Sequence, residues 1–364
     1  MRVVFIANGS GGLYGFRQEL LCELEKHGSV TLLAPDSGYV DELMVLGCTV
    51  IDTPMDRRGV NPVTDLKLFR RYRKLLRQIR PDLVITYTIK PNIYGGIACR
   101  MAGIPYAANI TGLGTAFQKN GLLRTLVTVM YRTALRKAKV VFFENCENIQ
   151  TLLEKKIVRE EQCCLLSGAG VNLERYALAE YPAQSDETCF LFVGRVMREK
   201  GVDELFAAME RLHEEGVPCS LDVLGDYEED YKEQIQRFEA AGWLHYHGYQ
   251  QDVRPFIRNC HCFVLPSWHE GMANTNLECA AMGRPLITSR IHGCMEAVIE
   301  GESGLLCQAQ NADSLYATMK KFVQLPLSKR SAMGLAGRKH METVFDKKKV
   351  VAETVARLQE SLPN

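Results

Sequence analysis

Residues 261–285 read HCFVLPSWHEGMANTNLECAAMGRP, and they contain the alternation on which the fold depends. The apolar run 261–265 is short and is typical of a buried strand. Small residues at 279–283 favour a closely packed helix, which Gly283 ends. A further apolar run, 284–288, follows at once. This stretch therefore predicts a strand, a helix and a second strand in a parallel sheet.

The same alternation runs through the whole chain in two series. The first series has candidate strands at 2–7, 30–34, 48–51, 82–87, 105–110 and 139–144. The second has them at 163–166, 189–193, 219–224, 244–247, 261–265, 284–288 and 304–307. Two series predict two doubly wound α/β domains, because strands that alternate with helices form parallel sheets covered on both faces. Glycines and polar residues between 167 and 186 mark the boundary, which divides the chain into domains of 1–167 and 168–344.

The composition fits a two-domain globular protein, with 364 residues, 46% hydrophobic and 24% charged. No apolar run approaches the 18 residues of a membrane-spanning helix, and the first residues lack the pattern of a signal peptide, so we expect a cytoplasmic protein. The 13 cysteines are an odd number and lie largely in apolar segments, which favours buried thiols over disulfides. Cys260-His261-Cys262 comes nearest to a metal motif. Alternate residues of a strand face opposite ways, however, and we expect no metal site there.

The net charge of +1 conceals an uneven distribution. Residues 1–180 carry an excess of seven positive charges, and the remainder carries an excess of six negative charges. Between Arg57 and Lys139 there are 17 basic residues and two acidic ones. A basic zone of this size indicates an anionic partner, which could be a membrane lipid, a diphosphate or a nucleic acid.

Two glycine-containing loops follow predicted strands. In the first, at 8–15, Gly11 and Gly12 would let the backbone approach a phosphate or a sugar before a helix opens at Phe16. An ordinary tight turn explains this loop equally well. Asp36 after the next strand also leaves a dinucleotide-binding dehydrogenase as an alternative.

The second loop, at 194–201, is more informative because it carries three cations before a helix. Arg195 and Lys200 could clamp a diphosphate, although a solvated basic loop would look similar. Glu270 and Glu278, before and inside the next helix, could hold neighbouring hydroxyls while the helix N-terminus receives a phosphate. A sugar nucleotide offers its groups in that order.

At these residues the chain resembles the family-4 retaining glycosyltransferases of GT-B fold. Glu270 and Glu278 have the spacing of that family's E-x7-E motif, and 194–201 resembles a second signature of the family. Residues 293–296 and 301–305 are similar to the segment that follows E-x7-E. Segments 88–95, 110–117 and 141–145 resemble one bacterial subgroup, which includes N-acetylgalactosaminyltransferases acting on undecaprenyl-diphosphate-linked saccharides and related capsule and lipopolysaccharide enzymes.

The resemblance implies two Rossmann-like domains that face each other across a cleft, with a C-terminal helix at about 345–364 returning to the first domain. It implies a UDP-sugar donor, with N-acetylgalactosamine as the best candidate sugar. The implied catalytic residues are Glu270, Arg195 and Lys200, with the two cations on the diphosphate, Glu270 on the sugar and Glu278 on the ribose. The other implied donor-binding residues are Gly11, Gly12, Gly271, Met272, Ala273 and Asn274. Acidic DxD-type metal ligands do not occur in a suitable loop, and the acidic residues at 226–230 are predicted to be a solvated stretch, so we expect no metal and no other cofactor.

One departure from the family concerns histidine. Many members carry a histidine in an N-domain loop, whereas this chain has none between residues 28 and 212. The corresponding loop contains Asn109 and Thr111. A histidine-based role in stabilising the transition state therefore does not transfer to this chain.

The acceptor side is predicted to lie in the basic half. A helix at 65–80 combines an apolar stripe with cations, and Arg70, Arg71, Arg73 and Lys74 are predicted to contact an anionic membrane surface. Arg17, Lys90, Asn92 and Thr111 complete the predicted acceptor side. An ordinary core-facing helix with a solvated basic face is the alternative.

A nucleic-acid partner is disfavoured, since no basic-aromatic recognition module is present. We expect a peripheral protein on the inner face of the plasma membrane that uses a polyprenyl-diphosphate-linked acceptor, with a soluble acceptor as the alternative.

Overall fold

The computed structural model describes residues 1–56, 59, 61–113, 122–183 and 187–361. The chain divides into two compact units. Unit 1 comprises residues 1–169 and 348–364, and unit 2 comprises residues 170–347. These boundaries lie two to three residues from the predicted ones. Among the described residues, no helix is both long and apolar enough to cross a membrane.

Unit 1 is built on a parallel seven-stranded sheet with the order β3-β2-β1-β4-β5-β6-β7. Its strands are β1 (Arg2–Ile6), β2 (Ser29–Ala34), β3 (Thr49–Asp52), β4 (Leu83–Tyr87), β5 (Tyr106–Ile110), β6 (Val140–Phe143) and β7 (Cys163–Leu165). The strand order reverses between β1 and β4, where the ends of neighbouring strands leave a crevice open.

Helices cover both faces of this sheet. They are α1 (Ser10–Glu25), α2 (Val40–Val45), α3 (Pro62–Ile79), α4 (Gly96–Ala102), α5 (Leu122–Leu135) and α6 (Cys146–Glu154). One hydrophobic cluster joins the sheet to α3, α4 and α5. The other cluster holds α1 and α2 together with Val355 and Leu358 of α13 (Lys347–Glu360).

Two predictions for unit 1 are wrong. The run at 163–166 does not open the second series of strands, because β7 pairs with β6 and closes the first sheet. The first helix begins at Ser10 and not at Phe16, so Gly11 and Gly12 belong to its first turn. The Ser10 hydroxyl anchors this turn by donating to the carbonyl of Gly38 at 2.6 Å, and the Gly11 N–H donates to Ser37 Oγ at 2.9 Å.

Unit 2 contains a parallel six-stranded sheet with the order β10-β9-β8-β11-β12-β13. Its strands are β8 (Thr188–Val193), β9 (Cys219–Leu224), β10 (Leu244–Gly248), β11 (Cys262–Leu265), β12 (Leu286–Ser289) and β13 (Gly304–Cys307). Its helices are α7 (Val202–Glu214), α8 (Lys232–Ala240), α9 (Arg254–Asn259), α10 (Asn274–Ala281), α11 (Ala312–Val323) and α12 (Leu327–Val344). A single hydrophobic cluster fills this unit.

A fully buried arginine at the start of the run 284–288 ties the segment before β8 to α9. The guanidinium of Arg284 donates to the carbonyls of Glu180 at 2.7 Å, Ile257 at 2.8 Å and Arg258 at 2.8 Å. Several carbonyl acceptors offset the cost of burying this cation. The sequence predicts a strand from residue 284, whereas β12 begins two residues later.

Candidate active site

The order of the second sheet reverses between β8 and β11, and both strands end at the same edge. Ligands of open α/β sheets bind in the crevice beyond this point. The loop after β8 contains Arg195 and Lys200, and the loop after β11 contains Glu270. The topology thus brings the two strongest sequence motifs of this half together.

Close backbone contacts fix the loop after β8. Gly201 ends the 3-10 turn Arg198–Lys200 with a φ of 75°, and a methyl group there would overlap the carbonyl of Pro266. A side chain at Gly225 would overlap the carbonyl of Gly194 in the same way. Glycine is therefore required at both positions, and the loop lies directly against its neighbours.

Lys200 and Glu270 form an ion pair at the switch point. Their side chains are 21% and 13% exposed, and Ser267 Oγ also donates to Glu270 Oε1 at 2.8 Å. A partly buried ion pair of this kind has lost much of its screening by water. An incoming diphosphate would have to compete with Glu270 for the Lys200 ammonium.

Arg195 is exposed and pairs with Glu228 at 3.2 Å. Glu229 accepts a hydrogen bond from the backbone N–H of Arg198 at 2.7 Å. The sequence predicts that 226–230 is only a solvated stretch. It is exposed, but it also holds the loop after β8, and no signal in the sequence indicates this pairing.

Glu278 lies on α10, the helix that follows β11, and β11 pairs with β8, the strand before Lys200. Burial raises the pKa of Glu278 from 4.5 to about 7, while a hydrogen bond with Tyr176 and the charges of Lys347 and Arg175 act in the opposite direction. Burial also raises the pKa of Tyr176, so its phenol donates to Glu278. Tyr176 lies about a hundred residues away in sequence, and no local pattern could have identified it as a partner.

Part of the N-terminus of α10 is engaged by the next loop. Met272 and Ala273 are buried, and the Ala273 N–H donates to the carbonyl of Gly293 at 2.7 Å. Gly293 approaches closely from that loop, and the predicted contact of these N–H groups with a donor stays a prediction. The side-chain oxygens of Asn274 and Asn276 are buried without a hydrogen-bond partner.

Gly11 and Gly12 belong to unit 1 and occupy the first turn of α1 rather than a loop. The N–H of Gly11 is already bonded to Ser37, whereas a side chain at Gly12 would meet open space. Their predicted approach to the donor stays a prediction.

Three of the predicted acceptor residues are engaged inside unit 1. Arg17 pairs with Glu144 at 2.7 Å, and both side chains are 10% exposed. Lys90 pairs with Asp65 at 2.6 Å, again largely buried.

Asn92 is almost fully buried, and its amide bonds to Thr86 at 2.6 Å and to the carbonyl of Asn109 at 2.9 Å. These bonds connect the ends of β4 and β5, and the predicted contact of Asn92 with an acceptor stays a prediction. Thr111, just beyond β5, is half-buried and keeps its predicted role as a prediction.

The predicted membrane-facing cations of α3 are mostly exposed. Arg70, Arg71 and Lys74 are exposed, and Arg73 is half-buried with its guanidinium 5.8 Å from the ring of Phe69. Arg71 also donates to the carbonyl of Asp52 at 2.5 Å. The opposite face of α3 is buried, which matches the predicted apolar stripe.

Among the residues that the structure describes, no group of three or more histidine, cysteine or acidic side chains could hold a metal ion. His261 of the Cys260-His261-Cys262 run instead accepts a hydrogen bond from the N–H of Cys189 at 3.0 Å.

Comparison with known families identifies the class of protein. The family described as "Glycosyl transferase 4-like" matches residues 2–145, and "Glycosyl transferases group 1" matches residues 177–340. The chain is a glycosyltransferase of this class, and the dehydrogenase alternative is wrong.

Individual relatives agree with this assignment. The chain is 26% identical to the N,N'-diacetylbacillosaminyl-diphospho-undecaprenol alpha-1,3-N-acetylgalactosaminyltransferase of Campylobacter jejuni, over 86% of this chain and 87% of that protein. It is also 26% identical to the UDP-Gal:alpha-D-GlcNAc-diphosphoundecaprenol alpha-1,3-galactosyltransferase of Escherichia coli, over 78% and 77% of the two chains. The crystal structure of Anabaena HepE matches with a TM-score of 0.81 at 17% identity, over 99% of this chain and 100% of that one. The predicted GT-B architecture of two Rossmann-like α/β domains is confirmed.

Proposed function

We propose that this chain is a retaining glycosyltransferase that moves a hexose or N-acetylhexosamine from a UDP-sugar to a saccharide carried on a polyprenyl diphosphate. The observation that carries the proposal is the meeting of Lys200 and Glu270 at the switch point, with Glu278 on the helix that follows. This arrangement offers a cation to a diphosphate and carboxylates to hydroxyl groups. It would not be needed by a protein that binds only a nicotinamide dinucleotide.

In the proposed mechanism, Lys200 and Arg195 neutralise the diphosphate as UDP departs. Glu270 orients the donor sugar, and Glu278 accepts hydrogen bonds from the ribose hydroxyls. The departing phosphate oxygen takes the proton of the acceptor hydroxyl, so no protein base is required. Catalysis then rests on positioning and on electrostatic stabilisation of the leaving group, and we propose that no divalent metal is needed.

The relatives support the choice of substrates. The Campylobacter jejuni relative is named for N-acetylgalactosamine transfer to an undecaprenol-linked sugar, and the Escherichia coli relative for galactose transfer to another. Anabaena HepE was crystallised with UDP and glucose. We therefore propose UDP-N-acetylgalactosamine as the first donor to test and an undecaprenyl-diphosphate-linked saccharide as the acceptor.

Exposed apolar residues support a membrane-bound acceptor over a soluble one. On α3, Val63 is 62% exposed and Leu66 is 46% exposed, and they precede the exposed cations on the same face. On α5, Leu126 and Val129 are 55% and 50% exposed. Because α3 and α5 pack on the same hydrophobic cluster, these side chains lie on one side of the sheet of unit 1. Apolar and basic groups together are typical of a surface that binds anionic lipid, and we propose the cytoplasmic face of the plasma membrane.

The test is a transfer assay with a panel of UDP-sugars and polyprenyl-diphosphate-linked acceptors, read by mass spectrometry of the product and by its anomeric configuration. Lys200→Ala should abolish transfer, whereas Lys232→Ala, at an exposed position on α8, should not. Absence of transfer with every donor, together with no binding of UDP, would overturn the proposal. Transfer to a free saccharide at the same rate would favour the soluble acceptor.

A further inference from the structure

Trp268 connects the two loops that carry the proposed donor-binding residues. Its backbone N–H donates to the carbonyl of Glu199 at 3.0 Å, next to Lys200. Its indole N–H donates to Glu204 Oε1 at 3.1 Å, at the start of α7. The guanidinium of Arg198 lies 5.2 Å from the centre of the indole ring. The residue two positions before Glu270 thus contacts the loop after β8 and the helix that follows it.

The partner carboxylate of Trp268 is poorly solvated. Burial raises the pKa of Glu204, and hydrogen bonds from its own backbone N–H and from Trp268 act against this rise. The second oxygen of Glu204 is buried without a hydrogen-bond partner. A buried carboxylate that loses a donor is costly to keep ionised, so the hydrogen bond from the indole N–H stabilises the ionised form of Glu204.

Several contacts hold the loop after β11 in place. Gly201 and Pro266 touch through their backbones, and the backbone of Glu270 lies against Gly293 of the next loop. His269 lies on the outside, 3.4 Å from Glu199. The Trp268 side chain adds a bond to α7 that none of these contacts supplies, and Glu270 follows it after one residue.

We propose that Trp268, through Glu204, is a positioning residue that holds Glu270 in register with Lys200. This inference rests on the proposed donor-binding role of those two residues. We call the bond between the Trp268 indole and Glu204 the brace. Losing the brace should affect the donor sugar and the UDP part of the donor differently. The carboxylate of Glu270, which orients the sugar, would be misplaced, while the ribose contact of Glu278 on α10 would remain. Small misplacements of this kind cost about tenfold to a hundredfold in rate.

The experiment compares Trp268→Phe, which keeps an aromatic ring but removes the indole N–H, with Trp243→Phe. Trp243 is the other tryptophan of the chain, and it packs in the core with its ring 4.4 Å from that of Phe238. Trp268→Phe should lower kcat/KM for the UDP-sugar about tenfold or more and change the Kd for UDP less than threefold. Trp243→Phe should lower the melting temperature without this split. Equal kinetic losses in the two variants at equal loss of stability would overturn the proposal.

A double variant tests the coupling to Glu204. If the indole acts through this carboxylate, Trp268→Phe combined with Glu204→Gln should cost little more than the worse single variant. Additive losses would show that the two residues act independently.

Hydrogen exchange tests the brace without relying on the proposed donor. Amides of 195–200 should exchange faster in Trp268→Phe than in the wild type, and those of β12 should be unchanged. Unchanged exchange in 195–200 would overturn the inference even if transfer is observed. Faster exchange in a chain that neither binds UDP nor transfers sugar would leave the brace intact and reject the proposed function.

Discussion

Glu270 and Glu278 are both carboxylates near the switch point, but their surroundings differ. Glu270 is paired with Lys200 and would therefore compete with an incoming diphosphate, whereas Glu278 has a tyrosine partner, Tyr176. Glu278→Gln should weaken UDP binding about tenfold, because hydrogen bonds to charged groups contribute about 1.5–3 kcal/mol. Glu270→Gln should bind UDP at least as well as the wild type, since Lys200 is released, but should lose most UDP-sugar turnover. Calorimetric titration with UDP and steady-state kinetics measure the two effects, and identical profiles for the two variants would disprove this division of roles.

The raised pKa of Glu278 makes a prediction about pH. The folded protein holds this proton more tightly than the unfolded chain, because burial raises the pKa from 4.5 to about 7. The contribution of Glu278 to stability is therefore fully present below about pH 4.5 and is lost as the pH rises through about 7.

Glu278→Gln removes this loss. The free energy of unfolding of the variant minus that of the wild type should be about 1–3 kcal/mol higher at pH 8 than at pH 5, since each pKa unit corresponds to about 1.4 kcal/mol. Urea denaturation at the two pH values measures the difference, with the exposed Glu180→Gln as a control for losing a surface charge. A pH-independent difference for Glu278→Gln would contradict the assignment.

The proposal that transfer needs no divalent metal also depends on single residues. In the proposed mechanism, Lys200 and Arg195 supply the positive charge that a divalent ion provides in other phosphate sites. Transfer should therefore proceed unchanged in EDTA, and added Mg²⁺ or Mn²⁺ should not increase it. Loss of activity in EDTA with recovery on adding either ion would contradict this expectation.

The position of a site residue was predictable from the sequence where the residue belongs to a motif. It was not predictable where the residue meets a partner from a distant segment. Lys200 and Glu270 come together as the spacing of their loops predicts. Tyr176 and Trp268 were not recognised, because their partners are brought near only by the folded sheet. The bonds of Asn92 to β4 and β5 were not predictable for the same reason, since they depend on tertiary contacts.

At the scale of elements, glycines decide how closely the loops of unit 2 approach each other. Gly201 and Gly216 both have a positive φ, 75° and 70°, but they differ in their surroundings. A methyl group at Gly201 would overlap the Pro266 carbonyl, whereas at Gly216 it would meet open space.

Gly216→Ala should therefore cost only the backbone strain, about 1 kcal/mol, and leave turnover unchanged. Gly201→Ala should cost more than this and abolish turnover, because the loop that carries Lys200 must move. Chemical denaturation and the transfer assay measure both variants. Equal effects of the two substitutions would mean that the contact with Pro266 does not limit the loop.

Every strand of the two sheets was predictable from the apolar runs, with ends that differ by at most two residues. Parallel strands are buried on both faces, so their sequences are continuously apolar and easily recognised. The sheet to which β7 belongs was not predictable from its own three residues, since only pairing with β6 assigns it. The start of α1 was missed because glycines weaken a helical pattern, whereas here bonds from Ser10 and Gly11 to the next loop stabilise the first turn.

At the scale of the whole molecule, charge is divided between the halves of the sequence. The basic residues concentrate between Arg57 and Lys139, and those of α3 that face outward are exposed beside Val63 and Leu66. Arg17 and Lys90 are withdrawn from this surface by their ion pairs. Four cations of α3, Arg70, Arg71, Arg73 and Lys74, are therefore the ones to test for membrane binding.

Replacing these four residues by glutamine should reduce binding to anionic vesicles at least tenfold, because each cation near such a surface contributes about 1 kcal/mol. Binding by the wild type should weaken with added salt, since the Debye length falls from about 8 Å at physiological ionic strength to about 3 Å at 1 M. The matched control is a quadruple glutamine variant of exposed cations in unit 2, at Lys232, Arg258, Lys321 and Lys329. It removes the same net charge and should bind vesicles as the wild type does.

The α3 variant should also raise the apparent KM for the lipid-linked acceptor more than that for the UDP-sugar. If both quadruple variants lose binding equally, the attraction is a general effect of net charge and not a property of α3, and if neither loses it, the basic face of α3 is only a solvated surface.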